Sequence, residues 1–170
     1  MEKITKVYDV YDFEELDKEI QKKLIEEEKR SEAEFYLDTF LIEDMQEKAK
    51  ELLKKYFRKN ATFLNVYYSF TYCQGDGAMI EFDLYYYNKF VKIRHNGNYY
   101  YHSRTFKIDD VSTYGEYLTD KQEEQLKAKI IKMNEELEKA GWQLVKYEPD
   151  DATAIEFLKG QKYLKDGSVF

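Results

Sequence analysis

The sequence predicts an α+β fold: an antiparallel meander of about four strands with helices packed on one face. Three observations carry this. Residues 62–107 are dense in Tyr, Phe, Val and Ile, with turn residues at regular intervals. The segments on either side repeat apolar residues at three- and four-residue spacing. Asn96-Gly97 lies between two β-rich stretches, and both residue types accept the positive φ that a tight hairpin needs.

Taken in order, residues 3–10 alternate loosely in β-branched types and read as a short strand. Asp12 precedes Glu15 by three residues, a capping box that starts a helix. Leu16, Ile20 and Leu24 give that helix one narrow apolar stripe, and the charged run Glu26–Arg30 reads as its solvated face or end. A second helix is expected over about 32–58. Phe35, Tyr36, Phe40 and Leu41 open it, the aromatic cluster at 35–40 reading as core before partner surface; Ile42, Met45, Ala49, Leu52, Leu53 and Tyr56 continue it, and Asn60 stops it.

Four strands follow, at about 62–72, 78–87, 89–95 and 99–108. Their turns fall at Gln74–Gly77, Tyr87–Lys89 and Asn96–Asn98. Within 78–87, Ile80, Phe82, Leu84 and Tyr86 share one face, expected to pack under helices. Met79, Glu81, Asp83 and Tyr85 share the other, expected to be partly wet. After a loop at 109–118, Thr119 and Gln122 form another capping box. A helix then runs to about Ala140 on the stripe Leu126, Ile130, Met133 and Leu137. Gly141 weakens that helix, and the spacing of 142–147 fits helix and strand equally. Pro149 starts a short helix over 150–159, closed by Gly160, and Asp166-Gly167 marks a turn in the tail. The expected organisation is one domain over 1–170: a helical part at 12–58, a central sheet at 62–108 and a helical part at 119–160.

Composition bounds the function. A net charge of −7 argues against nonspecific nucleic-acid binding, which needs Lys and Arg to displace counterions, and it permits basic partners. Cys73 is the single cysteine, so neither an intramolecular disulfide nor a thiolate zinc cluster is expected. The N-terminal stretch lacks the apolar core of a signal peptide and no apolar run reaches membrane-spanning length. A cytoplasmic protein is expected, with no cofactor. The 17 tyrosines against 1 tryptophan suit a half-buried sheet.

Cys73-Gln74-Gly75-Asp76-Gly77 is the one short segment specified for more than packing. It reads as a hairpin turn, where Gly and Asp are expected. It also reads as an anion-binding turn with Asp76 as base or ligand. No Gly-Lys-Ser/Thr follows, so it is not a phosphate loop, and the strand after it excludes a dinucleotide fingerprint. Cys73 is expected as a small buried hydrophobe rather than a nucleophile. His95 and His102 flank the Asn96–Asn98 hairpin without an obvious third ligand, so no metal site is expected. Arg94 and Arg104 would supply charge for an anion. The acidic helix faces are interleaved with lysine and read as ordinary ion pairing rather than phosphate mimicry.

The order of segments resembles a group of small phage and plasmid proteins. Val10-Tyr11-Asp12-Phe13-Glu14-Glu15-Leu16 is similar to their opening. The segment Tyr68–Phe82, with Gln74-Gly75-Asp76-Gly77-Ala78 at its centre, is similar to their "SQGDGA" core. Ile93–His102 and Tyr163–Gly167 are similar to their later motifs. Cys73 stands where the group has Ser, and the glycine expected after Phe82 is missing. The resemblance implies a mobile-element accessory protein and groups Gln74, Gly75, Asp76, Gly77, Tyr100 and His102 as one ligand- or partner-binding surface. The function expected is binding and inhibition of a host defence protein, an anti-CRISPR or similar role, without catalysis. The alternative is a binding protein or enzyme for a nucleotide-like ligand at the Gln74–Gly77 turn.

Overall fold

The computed structural model describes residues 6–97, 103–111 and 117–170. In chain order its elements are β1 (Tyr11–Asp12), a 3-10 turn (Phe13–Glu15), α1 (Lys18–Thr39), α2 (Leu41–Phe57), β2 (Ala61–Ser69), β3 (Gly77–Tyr86), β4 (Lys89–His95), β5 (Phe106–Asp110), α3 (Asp120–Leu144), α4 (Asp151–Lys159) and β6 (Lys162–Tyr163). They form two compact units, one from the residues up to Thr39 together with Tyr147–Phe170, the other Phe40–Lys146.

In the first unit β1 pairs antiparallel with β6, and Phe13, Leu16, Leu158 and Tyr163 form the core, with Ile20 and Leu24 packed against it. The Tyr163 hydroxyl, inside that core, donates to the Leu158 carbonyl at 2.9 Å, which satisfies a polar group that burial would otherwise penalise. The Asp12–Glu15 capping box forms, but it starts only the 3-10 turn. Leu16 returns to extended backbone (ψ 156), and α1 begins at Lys18. Residues 6–10 carry no strand; 3–5 lie outside the described residues, and the short strand is at Tyr11–Asp12 instead. The expected break near residue 31 is also displaced. Good helix formers fill 26–34 with no Gly or Pro, so α1 runs unbroken to Thr39 and the junction falls at Phe40. Phe35 is 59% exposed and Phe40 is 44% exposed, so neither is the core residue that helical spacing suggests.

The second unit holds the four-stranded antiparallel meander in the order β2-β3-β4-β5. Its inner face carries Val66, Ile80, Phe82, Leu84, Val91 and Ile93 beneath α2 and α3. Every residue of the predicted stripe Leu126, Ile130, Met133 and Leu137 is fully buried. Removing each such side chain from water contributes about 1.5–3 kcal/mol. Tyr87 and Asn88 both take positive φ (49° and 61°), giving the tight β3–β4 turn that two-residue hairpins favour. The outer face differs from expectation at Met79, which is fully buried although it alternates with half-buried Glu81 and Asp83 and exposed Tyr85. Tyr67 stands opposite Met79 in the register, and its ring stacks on His95 with centroids 4.9 Å apart.

One helix end differs from the sequence reading in its stop residue, and another, which the spacing left open, continues as helix. Arg58, in the left-handed region at φ 56, stops α2 two residues before Asn60. At the other end of the unit α3 continues through Gly141 to Leu144. The last strand is short, Phe106–Asp110, and 99–102 of its expected span lie outside the described residues. One buried polar residue ties helix to sheet. Asn134 accepts from the Ile80 amide at 3.2 Å and donates to the Ser103 carbonyl at 3.0 Å. Among the described residues, no helix is long and apolar enough to cross a membrane.

Candidate functional site

β2 ends at Ser69 and β3 begins at Gly77, so seven residues make the connection where a tight turn was expected at Gln74–Gly77. Asp76 organises it. One carboxylate oxygen, Oδ1, accepts from Ser69 Oγ at 2.8 Å, Thr71 Oγ1 at 3.1 Å and Cys73 Sγ at 3.2 Å. The other, Oδ2, accepts from the Cys73 amide at 3.0 Å. The Asp76 amide donates back to the Cys73 carbonyl at 3.2 Å, closing a small ring. Burial of Asp76 pushes its carboxyl up, but the hydrogen bonds from Ser69, Cys73 and Thr71 outweigh burial and hold it at about 2.

Three donors crowd onto Oδ1 and one bonds Oδ2, so both carboxylate oxygens are tied into the connection. Asp76 is therefore the clamp that shapes the connection, a buried carboxylate bonded on both oxygens to its own loop. Gly75 and Gly77 are buried beside it, and Gly77 takes φ 152, a value that favours glycine. Of the four motif residues only Gln74 is exposed. Tyr100 and His102, the other two members of the expected surface, lie outside the described residues. Cys73 is exposed, contrary to its reading as a buried hydrophobe, although its amide and thiol both bond Asp76.

What the folded connection does present is aromatic. Tyr72 adopts φ 61, a left-handed conformation uncommon for a bulky residue, and is 81% exposed. Its ring lies 4.9 Å from that of Trp142. Trp142 meets Phe70 edge-on at 5.1 Å, and Phe70 stacks on Tyr68 at 5.6 Å. The four rings form a step from the helix-covered face of the sheet out to solvent. Sequence reasoning missed Tyr72 and Trp142 as a pair. The available signal was Gly141 beside the only tryptophan: a glycine inside a helical pattern marks close approach by something else.

The other candidates are committed elsewhere. Arg94 donates to Asp83 at 2.5 Å and to the Phe82 and Ile93 carbonyls at 3.0 and 2.9 Å, so its guanidinium braces the sheet. The His95 amide donates to Glu81 Oε1 at 2.7 Å, and His95 Nδ1 accepts from the Gly97 amide at 3.2 Å. Among the described residues no three His, Cys, Asp or Glu side chains converge on a point that would hold a metal ion. The acidic helix faces carry ion pairs such as Lys23–Glu27, Lys48–Glu51 and Lys127–Glu123, in keeping with plain pairing at helical spacing. Compared with protein-family models, curated proteins and solved structures, the chain matches none.

Proposed function

We propose that this is a protein-binding accessory protein of a phage or other mobile element, which inhibits a host defence component by docking through the Tyr72–Trp142 step. The observation that carries the docking surface is the exposed Tyr72 ring, held on Trp142 by a backbone conformation that disfavours a bulky side chain. Such strain persists only where the surroundings over-determine it, and it clusters at functional positions. Tyrosine and tryptophan are also the side chains that most often dominate protein interfaces, because they bury large rigid area at low entropy cost. The mobile-element origin and the defence target rest on the likeness to the "SQGDGA" proteins, and a nuclease of the CRISPR type is the kind of target that likeness suggests.

A nucleotide-like ligand at the Gln74–Gly77 turn is the weaker reading. It needs Asp76 as a polar contact, and that carboxylate is buried and already bonded to Ser69, Thr71 and Cys73 of its own loop.

The test uses the full chain as bait in lysate from defence-carrying cells, alongside phage plating on the same cells. The wild type is expected to retain a host defence protein and to restore plating. Tyr72→Gly, which removes the ring and relaxes the backbone, is expected to lose both. Failure of the wild type to retain any host protein, with unchanged plating, rejects the proposal.

A further inference from the structure

We infer that a groove at the C-terminal end of α2 binds a small polyphosphate anion through Lys50, Lys54, Arg58 and Lys59. The groove has a volume of about 260 Å³ and is floored by Leu53 and Phe63. Four cationic side chains line it and no acidic one does, in a chain whose net charge is −7. None of the four forms an ion pair among the described residues, whereas the neighbours Lys48 and Lys55 on the same helix are paired with Glu51 and Glu136.

This arrangement is unfavourable without a counter-charge. Lys50, Lys54 and Arg58 follow one another at four-residue spacing, where like charges repel. The partial negative charge of the helix end attracts Lys54 and Arg58, but it fades within the last turn, so Lys50 is beyond its reach. Arg58 adds a second, independent feature. It occupies the helix cap at φ 56, a position where glycine is the usual residue. Arg58 thus lines the groove from a backbone position that costs strain.

The charge count selects the ligand. A single carboxylate neutralises one of four cations, while a pyrophosphate or nucleoside diphosphate carries enough charge for most of them. Its oxygens also match the forked donors of Arg58 and the point charges of the lysines. The volume suits a small molecule, and the acidity of the chain disfavours a nucleic-acid strand running on past the groove. Phe63 is half-buried, with Lys50 Nζ 5.4 Å from its ring centre, so cation and aromatic floor are already joined.

The experiment is calorimetric titration of the full chain with pyrophosphate, with ADP and with a glutamate-rich peptide at matched ionic strength, plus amide NMR mapping of the pyrophosphate titration. Saturable pyrophosphate binding that weakens with salt is expected, with shifts confined to about residues 50–63. The double variant Lys54→Gln/Arg58→Gln is expected to lose at least tenfold in affinity. Tighter binding of ADP assigns a nucleotide, and equal binding assigns the phosphate chain alone; either supports the site. No saturable binding, a preference for the peptide, or shifts located elsewhere overturns it, and the shift map decides even if the double variant fails to fold.

Discussion

The ring of Phe70 occupies the space where a side chain at position 141 would begin: a β-carbon on Gly141 would stand 2.0 Å from Phe70 Cζ. Helix and sheet connection therefore meet at a glycine. The contact seats Trp142 beside Phe70 and places Tyr72 on the outer side of the indole.

Gly141→Ala is accordingly expected to destabilise the protein by about 1 kcal/mol. The gain in helix propensity is about 1 kcal/mol, and the overpacking cost, typically ~1–3 kcal/mol, exceeds it because Tyr68 and Trp142 hold the ring from both sides. In a Phe70→Ala background the same change is expected to become stabilising. Urea unfolding of the four proteins of this cycle checks both signs. A stabilised single variant would contradict the packing described for Phe70.

Asp76→Asn is expected to cost about 2 kcal/mol at neutral pH, since charged acceptors give the stronger hydrogen bonds and an amide matches only part of the donor set. The pH dependence follows from the depressed folded-state pKa of about 2 against an ordinary 3.8. The carboxylate's contribution is complete above about pH 4 and is lost as pH falls through about 2, because the unfolded chain takes up the proton first. Denaturation midpoints between pH 5 and pH 2 should therefore fall less steeply for Asp76→Asn than for the wild type.

Asn134→Ala removes a side chain that satisfies two backbone groups in a fully buried position. A loss of about 3 kcal/mol is expected, the sum of a cavity and two stranded polar groups. Native-state hydrogen exchange offers a local readout. The Ile80 amide, which donates to Asn134 Oδ1, should lose more protection than amides in the β3–β4 ladder.

Tyr56 links α2 to α3. Its hydroxyl donates to Glu136 Oε1 at 2.7 Å, while Lys55 Nζ holds Glu136 Oε2 at 2.6 Å. Burial, and then the hydrogen bond to Glu136, push the Tyr56 phenol up to about 12. A raised phenol pKa favours the folded chain below about pH 10, and that contribution disappears as pH rises through about 12. Glu136→Gln should bring the phenol down toward its ordinary value of 10, read by NMR titration of ring-labelled tyrosine. An unchanged titration curve would mean the hydroxyl does not bond to Glu136.

Much of this protein is set by local pattern. The Thr119–Gln122 capping box, the α3 stripe, the α4 span between Asp150 and Gly160, and three of the four sheet strands all follow from spacing and turn chemistry, because neighbours in sequence supply the decisive contacts. Where the chain's neighbours are distant in sequence, pattern was silent. Nothing local distinguishes Asp76 as a ligand-facing carboxylate from Asp76 as a clamp, since its donors act only once the connection has folded around it. Nothing local separates a Gly141 that ends a helix from one that admits Phe70, 71 positions upstream, since that depends on which ring arrives from across the unit. The fold class is thus a property of periodicity, while the character of the site is a property of what tertiary packing brings to Asp76, Gly141 and Tyr72.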